Sequence, residues 1–179
     1  MKGNGNMIKV TIEGTAPLLM HRYFNADEPE SKGRKKTGTI DWKAEGEKAA
    51  YRDEGGNLVQ PAEHIESAMV KAATNFTIPG KRNKTYKDLF KAAVFVKPFM
   101  IPHEINEYEI DERRAVVQRN AVLRYRPRLD KWRLSFEIEV LDEQLDKSVV
   151  RDVLDQAGSF VGIGDYRPKF GRFKVVSWC

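Results

Sequence analysis

An α+β fold with an antiparallel sheet is what this sequence predicts, and three stretches carry the prediction. Residues Met7–Gly14 set Ile8, Val10 and Ile12 against Lys9, Thr11 and Glu13, a period of two that glycine ends. Residues 117–140 split the same way on either side of the turn Leu129-Asp130-Lys131. Val117, Ala121, Leu123 and Tyr125 share a face of the first arm, interrupted by Arg119; Trp132, Leu134, Phe136, Ile138 and Val140 share a face of the second. Gln118, Asn120, Arg124, Arg126, Arg128, Arg133, Ser135, Glu137 and Glu139 fall on the opposite side, so the pair reads as a hairpin with one buried and one wet face. The third stretch is helical: Ile65, Ala68, Met69, Ala72 and Phe76 recur at helical spacing behind Pro61, with Glu63 at the positive end.

The remaining elements follow in order. Thr15–Tyr23 is an apolar turn expected beneath the sheet, and residues 25–39 lose all periodicity and read as a long mobile insertion. A short helix opens at Asp41-Trp42, weakened by Gly46, and Leu58-Val59-Gln60 is a brief extended piece. Tyr86–Lys91 gives a helical turn; Ala93–Pro102 is extended, with Pro98 restricting it to an edge. Asp146 caps a last helix with Val149, Val150, Val153, Leu154 and Ala157 inward, and a glycine-rich loop leads to a strand over Phe173–Trp178. Without its insertions the order is βαββαβ, a ferredoxin-like (RRM-like) core with loop insertions and a glycine-rich C-terminal loop, in one domain over residues 1–179.

Composition narrows the function. The chain has 179 residues, 41% of them hydrophobic, and a formal net charge of +5. No apolar run is long enough for a membrane span, and no apolar stretch follows Met1–Asn6 as a secretory signal would require. Cys179 is the one cysteine, which excludes disulfides and cysteine zinc sites and fits a cytoplasmic setting. His21, His64 and His103 are too scattered to hold a metal, and no phosphate-loop, HExxH, GxSxG or dinucleotide fingerprint is present. Neither metal nor cofactor is expected, and enzymes of familiar classes are disfavoured.

The cations are grouped. Arg22, Lys32, Arg34, Lys35 and Lys36 lie in or before the insertion; Lys81, Arg82 and Lys84 form a second basic loop; Arg119, Arg124, Arg126, Arg128, Lys131 and Arg133 crowd the hairpin. The fourth group is the glycine-rich loop, where Gly162, Gly164 and Gly171 alternate with Arg167, Lys169 and Arg172 and with Tyr166 and Phe170. Glycines let a backbone approach another surface, successive N–H groups attract anions, and cations beside aromatics suit a polyanion with stackable bases. Single-stranded RNA or DNA, held by its phosphates without sequence specificity, is the partner these groups imply. The wet hairpin face lacks aromatics, so stacking on the sheet itself is not expected.

Val10-Thr11-Ile12-Glu13-Gly14-Thr15-Ala16-Pro17-Leu18, then Gly56-Asn57-Leu58-Val59-Gln60-Pro61 before a helix ending Lys71-Ala72-Ala73, then Gly162-Ile163-Gly164 with Arg167-Pro168-Lys169-Phe170-Gly171-Arg172-Phe173, together resemble the RAMP superfamily. The likeness is to the backbone subunits that line CRISPR RNA, and to small phage and prophage proteins. It implies an RRM-like core, a glycine-rich loop near the RNA backbone, a protruding thumb at 25–39 or at the hairpin tip, and head-to-tail assembly as a homo-oligomer or ribonucleoprotein subunit. RNA-cleaving relatives use a histidine general base or a loop aspartate after the first strand, which makes His21 and Asp27 the weak catalytic candidates of an alternative, endoribonuclease reading. A third alternative is a phage assembly or protein-interaction module whose basic loops meet an acidic partner.

Overall fold

A computed structural model describes residues 6–23, 42–117, 120–143 and 145–179. The insertion at 25–39, with Asp27, Lys32, Arg34, Lys35 and Lys36, lies outside the described residues, as does Arg119.

The chain is α+β, and its sheets are antiparallel. β1 (Asn6–Gly14) is one of two central strands: it pairs with β8 (Arg133–Val140) on one side and with β9 (Phe173–Trp178) on the other, and β4 (Val94–Lys97) adds to β8. The order across this sheet is β4-β8-β1-β9. Alternation decides its two faces, since successive side chains point to opposite sides. Ile8, Val10 and Ile12 meet Leu134, Phe136, Ile138 and Val140 on the buried face, as the sequence pattern predicts. Against it pack α2 (Ala62–Ala72), through Ile65, Ala68, Met69 and Ala72, and α4 (Lys147–Gln156), through Val150, Val153 and Leu154. The Asp146 carboxylate accepts from the Ser148 N–H at 2.7 Å and caps α4 as expected. The other face of the sheet carries Lys9, Thr11, Ser135 and Glu137.

A second sheet departs from the sequence reading. The arms on either side of Leu129-Asp130-Lys131 do not pair with each other. Instead β7 (Asn120–Leu129) forms a long hairpin with β6 (Glu109–Val117), and β2 (Leu18–Leu19) joins the other edge of β7. The turn at 129–132 is thus a corner between sheets, fixed where Trp132, 1% exposed, donates its indole N–H to the Ala16 carbonyl at 2.9 Å. Short elements complete the chain: α1 (Trp42–Lys48), whose Gly46 abuts Ile110 of the hairpin; β3 (Val59–Pro61) paired with β5 (Met100–Pro102); and α3 (Lys87–Ala93) beside α2.

His103 sits where these parts join. Its N–H donates to the Leu58 carbonyl, it bridges to Leu134, and neither ring nitrogen has a hydrogen-bond partner among the described residues. Burial pushes its pKa down to about 4 from an ordinary value near 6.5. The folded state therefore holds the ring neutral, while the unfolded chain takes up a proton below pH 6.5. The stability that follows is complete above that pH and drains as pH falls toward 4, by about 3 kcal/mol for this one group. Urea unfolding of the protein and of His103→Leu at pH 7 and pH 4 checks this: the wild type loses about 3 kcal/mol more than the variant. Equal losses would show that His103 does not titrate as a buried group.

Candidate nucleic-acid interface

The glycine-rich loop lies at the end of the main sheet where β1 finishes. It starts from α4 through a single π-helical turn, Ala157–Val161, and returns as β9. Between these it folds onto the β1–β2 connection by backbone bonds. The Asp165 N–H donates to the Leu19 carbonyl (2.9 Å), the Gly171 N–H to Pro17 (2.8 Å) and the Thr15 N–H to Arg172 (2.8 Å). Inside the loop, the Ile163 N–H donates to Gly171 at 2.9 Å. These contacts explain the glycines. Gly164 has φ +75°, and a Cβ there would lie 2.6 Å from the Leu19 carbonyl oxygen; Gly171 has φ +74°, and its Cβ would lie 1.7 Å from that of Ile163. The close approach that the sequence reading assigned to a ligand is spent on the chain's own backbone.

The loop also grips the hairpin. Tyr166, itself at φ +58°, donates its hydroxyl to the Arg114 carbonyl of β6 at 3.2 Å. Arg113 lies over the Phe170 ring, 4.5 Å from its centre, and Arg126 is 5.5 Å from the centre of Tyr166. Cations over aromatic faces are attracted by the ring quadrupole, more strongly where water is excluded. Arg126 is 6% exposed; its Nε stands 2.8 Å from an Asp165 carboxylate oxygen and donates to His21 Nδ1 at 3.3 Å. Phe170 is 6% exposed and so has no open ring face for a base, whereas Tyr166 is 40% exposed.

Next to this contact lies a cluster of polar rings. The Tyr51 hydroxyl donates to the His21 carbonyl at 3.3 Å, and its ring meets His64 edge-on at 5.4 Å. His64, in the first turn of α2, is hydrogen-bonded to Gln60. Burial lowers the His64 pKa first and the Arg167 charge lowers it further, against an opposing pull from Glu63. Burial raises that of Tyr51, with Arg22 opposing it and Asp165 and Glu63 adding to it. Those influences put Arg22, Arg167, His64 and Tyr51 in one neighbourhood, though they come from four separate stretches of sequence. His64 and Tyr51 were not singled out as binding residues from the sequence; only their spacing across the fold reveals them.

The predicted cations thus divide. Arg22, Lys131, Arg167, Lys169 and Arg172 are exposed at the loop end. Lys131 and Arg172 flank the bend at Gly14–Ala16, because Gly14 pairs with Phe173 and donates its N–H to Trp132. The hairpin arginines are partly used up: Arg128 pairs with Asp130 at 2.7 Å, Arg113 with Asp111 at 2.6 Å, and Arg133 with Glu104 at 3.4 Å on the open sheet face. Arg124 stands opposite Arg113, farther out along the hairpin. Since β7 and β8 belong to different sheets, these arginines do not crowd one tip. Lys81, Arg82 and Lys84 are elsewhere again, on the loop beyond the far end of α2, whose 11 residues span about 16 Å from His64's turn. No group of three or more metal-ligating side chains exists among the described residues. The chain matches no known protein family, and no characterised protein matches it significantly.

The loop's glycines give a stability prediction with an internal control. Gly171→Ala meets both a positive φ and a backbone oxygen, and is expected to cost about 3 kcal/mol or more. Gly80→Ala meets the same φ, +74°, but open space, so about 1 kcal/mol is expected. Chemical unfolding of the two variants ranks them; equal costs would mean that the loop is not closed by backbone contact at Gly171.

Proposed function

We propose that this chain binds single-stranded nucleic acid, most readily RNA, through its phosphates and without sequence specificity, on a ferredoxin-like core of the RAMP type. One observation carries the binding: exposed cations from distant segments, Lys131 and Arg172 beside the bend at Gly14–Ala16 and Arg22 and Arg167 around the Tyr51–His64 pair, lie on segments that the glycine-rich loop ties together, with the exposed ring of Tyr166 among them. Support for the core comes from the succession β1, α2, β4, β8, α4, β9 and from the sheet order β4-β8-β1-β9. In this reading the β6–β7 hairpin is the thumb. The open sheet face, with Lys9, Thr11, Ser135 and Glu137, offers no ring on its two central strands for a base to stack on. Phosphate contact at the loop end is then the main source of affinity, and protomers assemble along the strand they share.

About four phosphates neutralised per protomer, at the single-strand slope of roughly −0.7 each, make affinity for oligouridylate fall ~50-fold between 50 and 200 mM salt. Fluorescence anisotropy reads this directly. In the same assay Arg22→Glu with Arg167→Glu reduces affinity at least tenfold at low salt, while a flat salt response or an unchanged double variant would remove the interface from this end.

A second reading, cleavage of the bound strand, is favoured by His21, which accepts from Arg126 at 3.3 Å beside Tyr51. Incubation with end-labelled RNA yields discrete products that His21→Ala abolishes if the chain cleaves, and intact RNA if it only binds.

A further inference from the structure

The molecule has a second basic surface that the nucleic-acid reading does not use. A groove runs between α2 and α3, with Val70 and Phe95 reaching its surface above the buried Phe90 and Val94. Lys71, Lys87 and Lys91 stand along it, and no ion pair engages any of the three among the described residues. The acid in the groove, Glu66, is already committed: its carboxylate accepts the Val96 N–H at 2.8 Å and ties α2 to the edge of the sheet. The loop joining the two helices adds Lys81, Arg82 and Lys84 at one mouth.

We propose that this groove docks an acidic amphipathic segment, in helical form, of a partner protein. Two helices with a trough between them accept a third ridge of similar width, the geometry of helix-in-groove recognition. The floor is apolar and the lining charges other than the committed Glu66 are lysines, so an occupant that offers apolar side chains flanked by carboxylates matches both. A polynucleotide satisfies only the rim, since it gains little from Val70 and would leave that floor facing charged phosphates. The rim also differs from the loop end in chemistry. Apart from Arg82 at the mouth it is built of lysines, which are point charges, without the arginine–aromatic pairs found around Tyr166. Complementary charge at such a rim sets the rate and choice of partner, and the apolar contacts hold it. The proposal stands independently of nucleic-acid binding.

The test uses the full chain and a labelled synthetic helical peptide with leucines on one face and glutamates on the other, beside a counterpart with lysines for glutamates. The glutamate peptide is expected to bind and the lysine peptide not to. Lys71→Glu, Lys87→Glu and Lys91→Glu together weaken binding at least tenfold, whereas the Arg22→Glu, Arg167→Glu variant binds as wild type does. Amide NMR shifts confined to α2 and α3 on titration support the site, and circular dichroism confirms that the triple variant is folded. Three results would each overturn it: no binding of the glutamate peptide, equal binding by the triple variant, or displacement of the peptide by oligouridylate, which would make the groove a nucleic-acid surface. Self-association that the triple variant abolishes would overturn it too, by giving the groove to a second copy of the chain.

Discussion

The closure of residues 162–171 onto the β1–β2 connection is the constraint from which the rest of the architecture follows. Three backbones meet there without side chains between them: Ile163 with Gly171, Asp165 with Leu19, and Gly171 with Pro17. Hydrogen bonds at such separations require that no Cβ intervene, which is the physical demand that Gly164 and Gly171 answer. Because the same loop holds Tyr166 and Phe170 against Arg126 and Arg113, its closure also sets where the hairpin stands relative to the main sheet. A chain able to form the sheet but not this closure would leave β6 and β7 without their main hold on the loop.

Much of the fold was legible in the sequence wherever one face of an element is buried and the other wet. β1, β8, α2 and α4 have that character, and their buried residues are those the spacing picks out. β6 was not legible. Its sequence, Glu109-Ile110-Asp111-Glu112-Arg113-Arg114, has no apolar alternation because none of these side chains is fully buried and the strand is held by its backbone bonds to β7. With β6 unseen, the natural partner for β7 in a sequence reading was β8, its neighbour across a short turn. Tertiary packing decided otherwise: the corner at Trp132 turns the chain from one sheet into the other.

The candidate site was legible in its residue types and illegible in its geometry. Sequence shows which side chains are cationic, but not which have found carboxylates. Arg126, expected on a wet face, is buried between Asp165, His21 and Tyr166, whereas Leu123, expected inward, is 49% exposed. The hairpin face turned toward the glycine-rich loop is the polar one, and burying a guanidinium is tolerable there because a carboxylate and an aromatic ring replace part of its water. Conversely, Tyr51 and His64 carry no motif; His64 enters the site from the first turn of α2, and Tyr51 through its ring contact with His64 and its bond to the His21 carbonyl.

Burial of Arg126 also bears on how charge is distributed over the surface. An arginine matched by Asp165 adds little field outside the protein, so among the described residues the loop end owes its positive character to Arg22, Lys131, Arg167, Lys169 and Arg172. The groove between α2 and α3 owes its own to Lys71 in the last turn of α2 and to Lys87 and Lys91 on α3. At physiological ionic strength charges separated by more than about 8 Å are largely screened from each other, and Lys71 stands roughly 10 Å along α2 from His64. Two basic surfaces so separated act as independent attractors rather than as one extended trough. A single polyanion need not cover both, and a protein can use one for a strand and the other for a neighbour without either occupant competing with the other.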